Sequence, residues 1–185
     1  MPYLVSAMAF TVFAAFAMAV RWHFRPGAMA PGMLAISMVG MLALAAVQVE
    51  LWRLPLGLPS AAWSISLMAA AMALFTWAIA ATRRARLALA FSADAPTALL
   101  RHGPYRWVRH PFYASYVLYW LACTIAVPTP PVLAGAAAMI VLYVAAFRRE
   151  EAHFLASPLA GEYRAYRRQA GALLPRPSAL WGRRP

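Results

Sequence analysis

Long uncharged apolar runs constrain this chain more than any other feature of its sequence. Five such runs occur, at about residues 3–20, 28–49, 60–82, 111–127 and 131–147. At a rise of about 1.5 Å per residue, the second and third runs form helices long enough to span a hydrocarbon core of about 30 Å, and the last two just reach the lower limit. The sequence therefore predicts an all-α integral membrane protein with about five transmembrane helices.

The composition agrees with this class and argues against nucleic-acid binding. Hydrophobic residues make up 64% of the chain and charged residues only 12%, whereas soluble domains average about 45–50% and about 25%. The net charge of +12 comes from 17 basic residues, all of them arginine, against five acidic ones. Because the arginines lie between the apolar runs, their expected partners are membrane lipids rather than nucleic acid. The single cysteine, Cys123, lies inside an apolar run and is interpreted as a packing residue.

The positions of the arginines predict an orientation in the membrane. If the N-terminus lies outside, five crossings place every arginine except Arg53 on the inner side, as the positive-inside rule requires. No basic residue precedes the first apolar run, so we interpret this run as a retained span rather than a signal peptide. We expect a bacterial inner-membrane protein with its N-terminus outside and its C-terminus in the cytoplasm.

The fourth and fifth runs are joined by a short proline-rich turn, Val127-Pro128-Thr129-Pro130-Pro131, which cannot continue a helix. The two helices therefore form a hairpin, and their cytoplasmic ends lie about 8–10 Å apart by ordinary helix packing. Arg109-His110-Pro111 enters the first helix, and Glu150-Glu151 leaves the second. Topology alone thus predicts that two polar clusters meet at the membrane surface.

Glu150 and Glu151 are two of only five acidic residues. A negative charge near a helix C-terminus opposes the helix dipole, so these residues are not explained as helix caps. They can pair with Arg148, Arg149 or Arg109, or they can be solvated. Alternatively, one of them faces inward and binds ribose hydroxyls or a cationic ligand.

The chain is expected to form a single domain over residues 1–185. The fifth helix continues through RREEAHFLAS, breaks at Pro158 and resumes as LAGEYRAYRRQAG, which predicts a C-terminal cytoplasmic helix. Residues 171–185 are rich in Pro, Gly and Arg and are predicted to form a flexible tail.

Two motifs resemble those of a known family. The run LLRHGPYRWVRHPFYASYVLYW, which begins at Leu99, is similar to the G-x-Y-x-x-x-R-H-P-x-Y signature of the isoprenylcysteine carboxyl methyltransferase and phospholipid methyltransferase group. The run EEAHFLASPLAGEYRAYRR, which begins at Glu150, resembles the closing E-E-x-x-L-x-x-x-x-G-x-x-Y-x-x-Y motif of the same group, with a one-residue difference in spacing. The core motifs cover residues 97–170, and both occur in the order of the family.

The resemblance implies a membrane methyltransferase that uses S-adenosylmethionine and releases S-adenosylhomocysteine. It implies catalytic roles for Arg109, His110 and Glu150, and substrate binding by Arg109 and Arg149. Leu99 and Leu100 would hold the adenine end of the cofactor, and Glu150 its polar end; no metal is implied. The implied cofactor-binding residues are Leu99, Leu100, Tyr105, His110, Pro111, Phe112, Tyr113, Glu150 and Glu151.

The chemistry of methyl transfer fits these residue types. Displacement at a sulfonium has a good leaving group, so positioning and water exclusion matter more than acid–base catalysis. A carboxylate acceptor, such as that of isoprenylcysteine, needs only a cation such as Arg109 to orient it. A lipid amine or a thiol must lose a proton, for which His110 is a candidate. In each case the expected partner is a lipophilic small molecule or lipid.

The sequence departs from the family pattern at three positions. Thr97 stands where the family usually has His, and Ser115 stands where a Gly is common. Ala146 occupies the position one turn before the first Glu, where the carboxyl methyltransferases have an Arg; Arg148 or Arg149 would have to replace it. These departures bear more on the identity of the methyl acceptor than on the cofactor.

Two other classes of function are alternatives to an enzyme that uses S-adenosylmethionine. A non-catalytic membrane scaffold or a small-molecule permease is the main alternative, but permeases usually carry polar residues in mid-membrane, and this chain has almost none there. A metal-dependent oxidoreductase would rely on Glu150, His153 and His110, which are few ligands for a site in a helical bundle. Glu50 and Arg53 are spaced to form a structural ion pair.

Overall fold

The computed structural model describes residues 1–22, 31–82 and 99–177. The regular structure in these ranges is helical, apart from one isolated backbone bridge between Val108 and Gly171. The all-α class predicted from the sequence is confirmed. The helices are α1 (Pro2–Trp22), α2 (Pro31–Arg53), α3 (Leu58–Thr82), a short 3₁₀ helix (Gly103–Arg106), α4 (Pro111–Ala126), α5 (Pro130–Leu155) and α6 (Ala160–Gln169).

Four helices in the described part of the chain, α1, α2, α3 and α5, are long and apolar enough to cross a membrane. This confirms an integral membrane protein. Helix α4 occupies the fourth predicted run but has only 16 residues, and it is followed by a turn in which α5 begins at Pro130. The predicted hairpin of α4 and α5 is therefore present, and the fifth crossing stays a prediction.

Helix α4 lies at the centre of the bundle, where it contacts α1, α3 and α5, while α2 packs along α5. Aromatic side chains fill the centre: the ring of Phe16 in α1 lies 4.6 Å from that of Phe75 in α3 and 5.8 Å from that of Tyr119 in α4. Trp120 is buried in the same core and donates a hydrogen bond of 3.2 Å to the Tyr143 hydroxyl. Buried polar groups in a membrane-spanning bundle need such partners, because no water is available there to bind them.

Three local features predicted from the sequence are present in the structure. Helix α5 continues past its apolar part to Leu155, and α6 begins at Ala160, so the break around Pro158 is confirmed. The Glu50–Arg53 ion pair is also confirmed, at 3.3 Å. Cys123 is a buried free cysteine, as expected for a packing residue. Some residues that bear on the predicted orientation and on the family motifs lie outside the described ranges, namely Arg25, Arg83, Arg84, Arg86, Thr97, Arg183 and Arg184.

Candidate active site

The two polar clusters predicted to meet do lie together. Pro111 is the first residue of α4, where its fixed φ and missing N–H suit a helix start, and His110 precedes it as the N-cap. The imidazole Nε2 of His110 lies 3.0 Å from Oε1 of Glu151, and its Nδ1 lies 3.7 Å from Oε2 of Glu150. The predicted juxtaposition of the α4 start with the end of α5 is confirmed.

Glu151 is buried and is surrounded by cationic groups. Its Oε1 accepts a hydrogen bond of 2.9 Å from Nε of Arg109, whose NH2 also lies 2.8 Å away. Its Oε2 lies 3.7 Å from Nε of Arg167 in α6. Of the alternatives left open by the sequence, ion pairing with Arg109 is the one observed for this glutamate. A buried carboxylate needs such compensation because its desolvation is costly.

Glu150 has a different environment from its neighbour. Its side chain is 33% exposed, and its Oε1 accepts a hydrogen bond of 2.5 Å from the Tyr113 hydroxyl. A carboxylate has about four lone-pair positions, and this bond uses one of them. Glu150 therefore combines a fixed orientation with capacity to accept hydrogen bonds from a ligand.

Aromatic rings line the region between α4 and α5 next to Glu150. His110 stacks on Phe147, with ring centroids 4.9 Å apart and an interplanar angle of 26°. Tyr113 and Tyr143 each contact the half-buried Tyr116, at 6.1 and 5.3 Å. Aromatic faces exclude water and attract cations, so this surface suits a positively charged group held beside a carboxylate.

Residues 170–172, which we name the return segment, bind the chain that enters α4. The backbone N–H groups of Arg109 and His110 donate to the carbonyl oxygens of Gly171 (2.8 Å) and Ala172 (3.1 Å), and Gly171 N–H donates to Trp107. NH1 of Arg109 also donates to the Ala170 carbonyl, at 2.5 Å. The start of the segment predicted as a flexible tail, 171–185, is thus held in place by hydrogen bonds, and residues 178–185 lie outside the described ranges.

The stretch before the 3₁₀ helix lies against α6. Leu99 packs against the buried cluster of Tyr163, Tyr166 and Ala170, and Leu100 is half-buried. The Tyr166 hydroxyl donates a 2.6 Å hydrogen bond to the Tyr105 carbonyl. Burial is the largest cause that raises the pKa of Tyr105 and of Tyr166, so both hydroxyls stay protonated at neutral pH and can donate hydrogen bonds.

The remaining predicted site residues are two residues at the start of α4 and two arginines. Pro111 and Phe112 are buried, and Phe112 contacts Phe75 with ring centroids 5.5 Å apart. Arg109, expected to bind the acceptor, directs Nε and both terminal nitrogens at Glu151 and Ala170 and is almost fully buried. Arg149, the other expected acceptor ligand, is exposed.

Two contributions to this site were not found from the sequence. Arg167 and Tyr163 lie one helical turn apart on α6, and they approach Glu151 only because α6 folds back against α5. The return segment is the second contribution. The spacing of the closing motif places Tyr163 and Tyr166 on one helix face, which was the available signal. No group of His, Cys, Asp or Glu among the described residues, including Glu150, His153 and His110, is placed to hold a metal ion.

The fold and site define a multi-spanning helical membrane protein with a carboxylate–histidine–tyrosine cluster where α4 begins and α5 ends. The model of the phospholipid methyltransferase family matches residues 59–159, from the start of α3 to just beyond α5. Because this match covers more than half of the chain, the protein belongs to the phospholipid methyltransferase family and is a membrane methyltransferase. Searches of curated proteins and of solved structures give no match.

Proposed function

We propose that the protein transfers a methyl group from S-adenosylmethionine to a lipophilic acceptor at the cytoplasmic face of the membrane. The observation that carries this proposal is the Glu150 carboxylate, which is partly exposed, hydrogen-bonded to Tyr113 and adjacent to His110. All three residues belong to the motifs that resemble the family. Membership in the family supports methyl transfer itself.

The residues present fit this cofactor by their chemistry. S-adenosylmethionine carries an ammonium group, ribose hydroxyls and a sulfonium, which require acceptors and a cation-tolerant surface. Glu150 and His110 supply acceptors, and Tyr113 holds the carboxylate in place. Tyr116 and Phe147 supply aromatic faces beside them. Leu99 and Tyr105 lie against α6, and these two residues and the half-buried Leu100 remain the proposed contacts of the adenine end.

Once bound, the sulfonium supplies an activated methyl group, so the protein has little acid–base work to do. The chain instead orients the bound groups and keeps water away from them. Tyr113 fixes the direction of Glu150, and Phe147 fixes the plane of the His110 ring. Glu151 acts through His110, and we assign it and Arg109 to holding the site together rather than to contact with the acceptor.

The acceptor is a lipophilic molecule: an isoprenylcysteine-like carboxylate, a lipid amine or a thiol. Since Arg109 is engaged by Glu151 and Ala170, and the position of the family arginine is the buried Ala146, Arg149 is the proposed cation for a carboxylate acceptor. An amine or a thiol would instead give its proton to His110. The arginine distribution supports a cytoplasmic site in a bacterial inner membrane, with the N-terminus outside.

Calorimetric titration of the detergent-purified protein with S-adenosylhomocysteine tests the proposal. We expect a single site, and we expect Glu150→Ala and His110→Ala each to weaken binding by more than about tenfold, or about 1.4 kcal/mol. Glu50→Ala is the control, because Glu50 pairs with Arg53 at the opposite end of the bundle. A folded wild type that produces no heat would favour the non-catalytic scaffold or permease. Equal losses in all three variants would contradict the site assignment.

A further inference from the structure

The two ring nitrogens of His110 have different neighbours. Nε2 lies 3.0 Å from Oε1 of Glu151, a carboxylate that is ion-paired with Arg109. An ionised carboxylate only accepts hydrogen bonds, so the proton of the neutral imidazole must lie on Nε2. Nδ1 then carries the lone pair, and it lies 3.7 Å from Oε2 of Glu150, too far for a direct hydrogen bond.

We propose that Arg109 and Glu151 are positioning residues that fix the proton of His110 on Nε2, so that Nδ1 and the Glu150 carboxylate form a pair of acceptors for one ligand donor. A single N–H or O–H group placed between these atoms would satisfy both. The donor class is therefore an ammonium or a hydroxyl group. Its assignment to the ammonium or ribose of S-adenosylmethionine rests on the proposed function.

The geometry of Arg109 supports a positioning role. Its three guanidinium nitrogens contact Glu151 and the Ala170 carbonyl, and its backbone N–H donates to Gly171. Arg109 thereby connects the residue before His110 to both α5 and the return segment. Glu151 cannot rotate toward a ligand without breaking these contacts. The two adjacent glutamates are therefore divided, with Glu151 directed at the protein and Glu150 toward the ligand.

The return segment is fitted to this arrangement. The backbone N–H of His110 donates to the Ala172 carbonyl at 3.1 Å, which fixes the start of α4. A Cβ atom added to the buried Gly171 would overlap the carbonyl oxygen of Leu174. Only glycine therefore fits this turn without rearrangement. The return segment thus holds the backbone of His110 while Glu151 holds its ring.

Three helices contribute groups that face His110 directly or through Glu151. Helix α5 contributes Glu150, Glu151 and the stacked Phe147, and α4 contributes the edge of Tyr113 at 5.9 Å. Helix α6 contributes Arg167, which faces Glu151 rather than the ring. The stacking fixes the ring plane but does not select a tautomer. The position of the proton on His110 depends on Glu151, so Glu151 is the residue to substitute.

Nitrogen-15 NMR of the histidine rings reads the tautomer without any ligand. The sequence has four histidines, and comparison with His110→Gln assigns the signals of His110. For the neutral ring of the wild type we expect Nε2–H. Glu151→Leu removes the acceptor beside Nε2 and leaves the Glu150 carboxylate beside Nδ1, so the proton should move to Nδ1. In the same variant Nδ1 no longer accepts a hydrogen bond from the ligand, so we expect the affinity for S-adenosylhomocysteine to fall at least about fivefold.

Glu50→Leu is the matched control, because it makes the same change in a Glu–Arg pair far from the site and should alter neither the tautomer nor the affinity. An Nε2–H signal in folded Glu151→Leu would overturn the proposal. If that variant does not fold, Arg109→Lys and Arg109→Gln decide: the lysine keeps a cation on Glu151 and should preserve Nε2–H, whereas the glutamine should not. Identical spectra for both would overturn the role of Arg109. If the wild type does not bind S-adenosylhomocysteine, the proposed function is overturned, but the assignment of the His110 proton is not.

Discussion

The Tyr113 hydroxyl and the Glu150 carboxylate join α4 to α5 through a hydrogen bond of 2.5 Å. The two residues are 37 positions apart in the chain and belong to different motifs. The hydroxyl of Tyr113 donates to a carboxylate that is still partly exposed. The bond therefore restricts the orientation of Glu150 without occupying all of its acceptor capacity.

Tyr113→Phe should weaken binding of S-adenosylhomocysteine by about tenfold, because a hydrogen bond to a charged group contributes about 1.5–3 kcal/mol and part of this is lost when Glu150 rotates freely. Calorimetric titration measures the effect. Tyr3→Phe is the control, since Tyr3 is exposed and contacts Trp52 far from the site. Unchanged affinity in Tyr113→Phe would mean that the orientation of Glu150 does not matter for the ligand.

Two ion pairs of the same type differ in burial, and their contributions to stability should differ accordingly. The side chains of Arg109 and Glu151 are 7% and 11% exposed, whereas those of Arg101 and Glu162 are 43% and 65% exposed. Glu151→Ala leaves the buried Arg109 without its carboxylate partner and should reduce the free energy of unfolding by about 3–5 kcal/mol. Glu162→Ala should cost about 0–1 kcal/mol, because solvent screens the exposed pair.

Double-mutant cycles, with unfolding followed in mixed detergent micelles, measure both couplings. The first cycle combines Glu151→Ala with Arg109→Ala, and the second combines Glu162→Ala with Arg101→Ala. The coupling energy should be larger in the first cycle. Equal couplings would show that the Arg109–Glu151 pair is as well solvated as the surface pair.

Gly103 is needed for the turn that leads into the 3₁₀ helix. Its φ is +59°, and an added Cβ atom would lie 2.9 Å from the Cβ atom of Ala81 in α3. Gly103→Ala should therefore lower stability by about 1–2 kcal/mol from the backbone conformation alone, with a further loss from the contact. Gly161→Ala in α6 is the control, because no atom lies within 4 Å of its added Cβ atom. Thermal unfolding of the purified variants distinguishes them, and equal melting temperatures would contradict the assignment.

The sequence was sufficient to predict the helices and the meeting of the two motifs. Apolar runs and prolines placed the helices correctly because the membrane requires long apolar segments whose backbone groups pair internally. The short turn before Pro130 then fixed α4 and α5 as neighbours, so His110 and Glu150 had to come close. Apolar runs, prolines and a short turn are local features, so one amino-acid sequence is enough to reveal them.

The sequence could not predict the division of labour between Glu150 and Glu151. Adjacent residues on a helix point about 100° apart, and which one faces Arg109 depends on the rotation of α5. The return segment was equally hidden, because a Pro-, Gly- and Arg-rich stretch resembles a solvated tail. Its order comes from hydrogen bonds between Gly171 and Ala172 and the backbone at 107–110, which no local pattern encodes.

Close packing of α2 and α5 depends on Gly135. An added Cβ atom there would lie 2.8 Å from the Cβ atom and 3.2 Å from the Cα atom of Ala43, whereas at Gly40 it would meet the ends of the Phe13 and Met139 side chains at 3.3–3.4 Å. Backbone atoms cannot move aside as a methionine end can, and small residues allow membrane helices to approach closely. Gly135→Ala should therefore unfold at a lower temperature than Gly40→Ala. The reverse order in thermal unfolding would contradict this packing argument.

The proposed orientation of the protein rests on the positions of its arginines and can be tested with single cysteines. Gly57 lies in the loop between α2 and α3, and Ala156 follows α5 beside the candidate site, so the antiparallel helices place them at opposite ends of the bundle. The native Cys123 is fully buried and should not react. In intact spheroplasts, a membrane-impermeant maleimide should label Gly57→Cys but not Ala156→Cys, which should react only after permeabilisation. Labelling of Ala156→Cys before permeabilisation would place the site on the outer face. It would thereby contradict the inner location, which rests on the positive-inside distribution of charge.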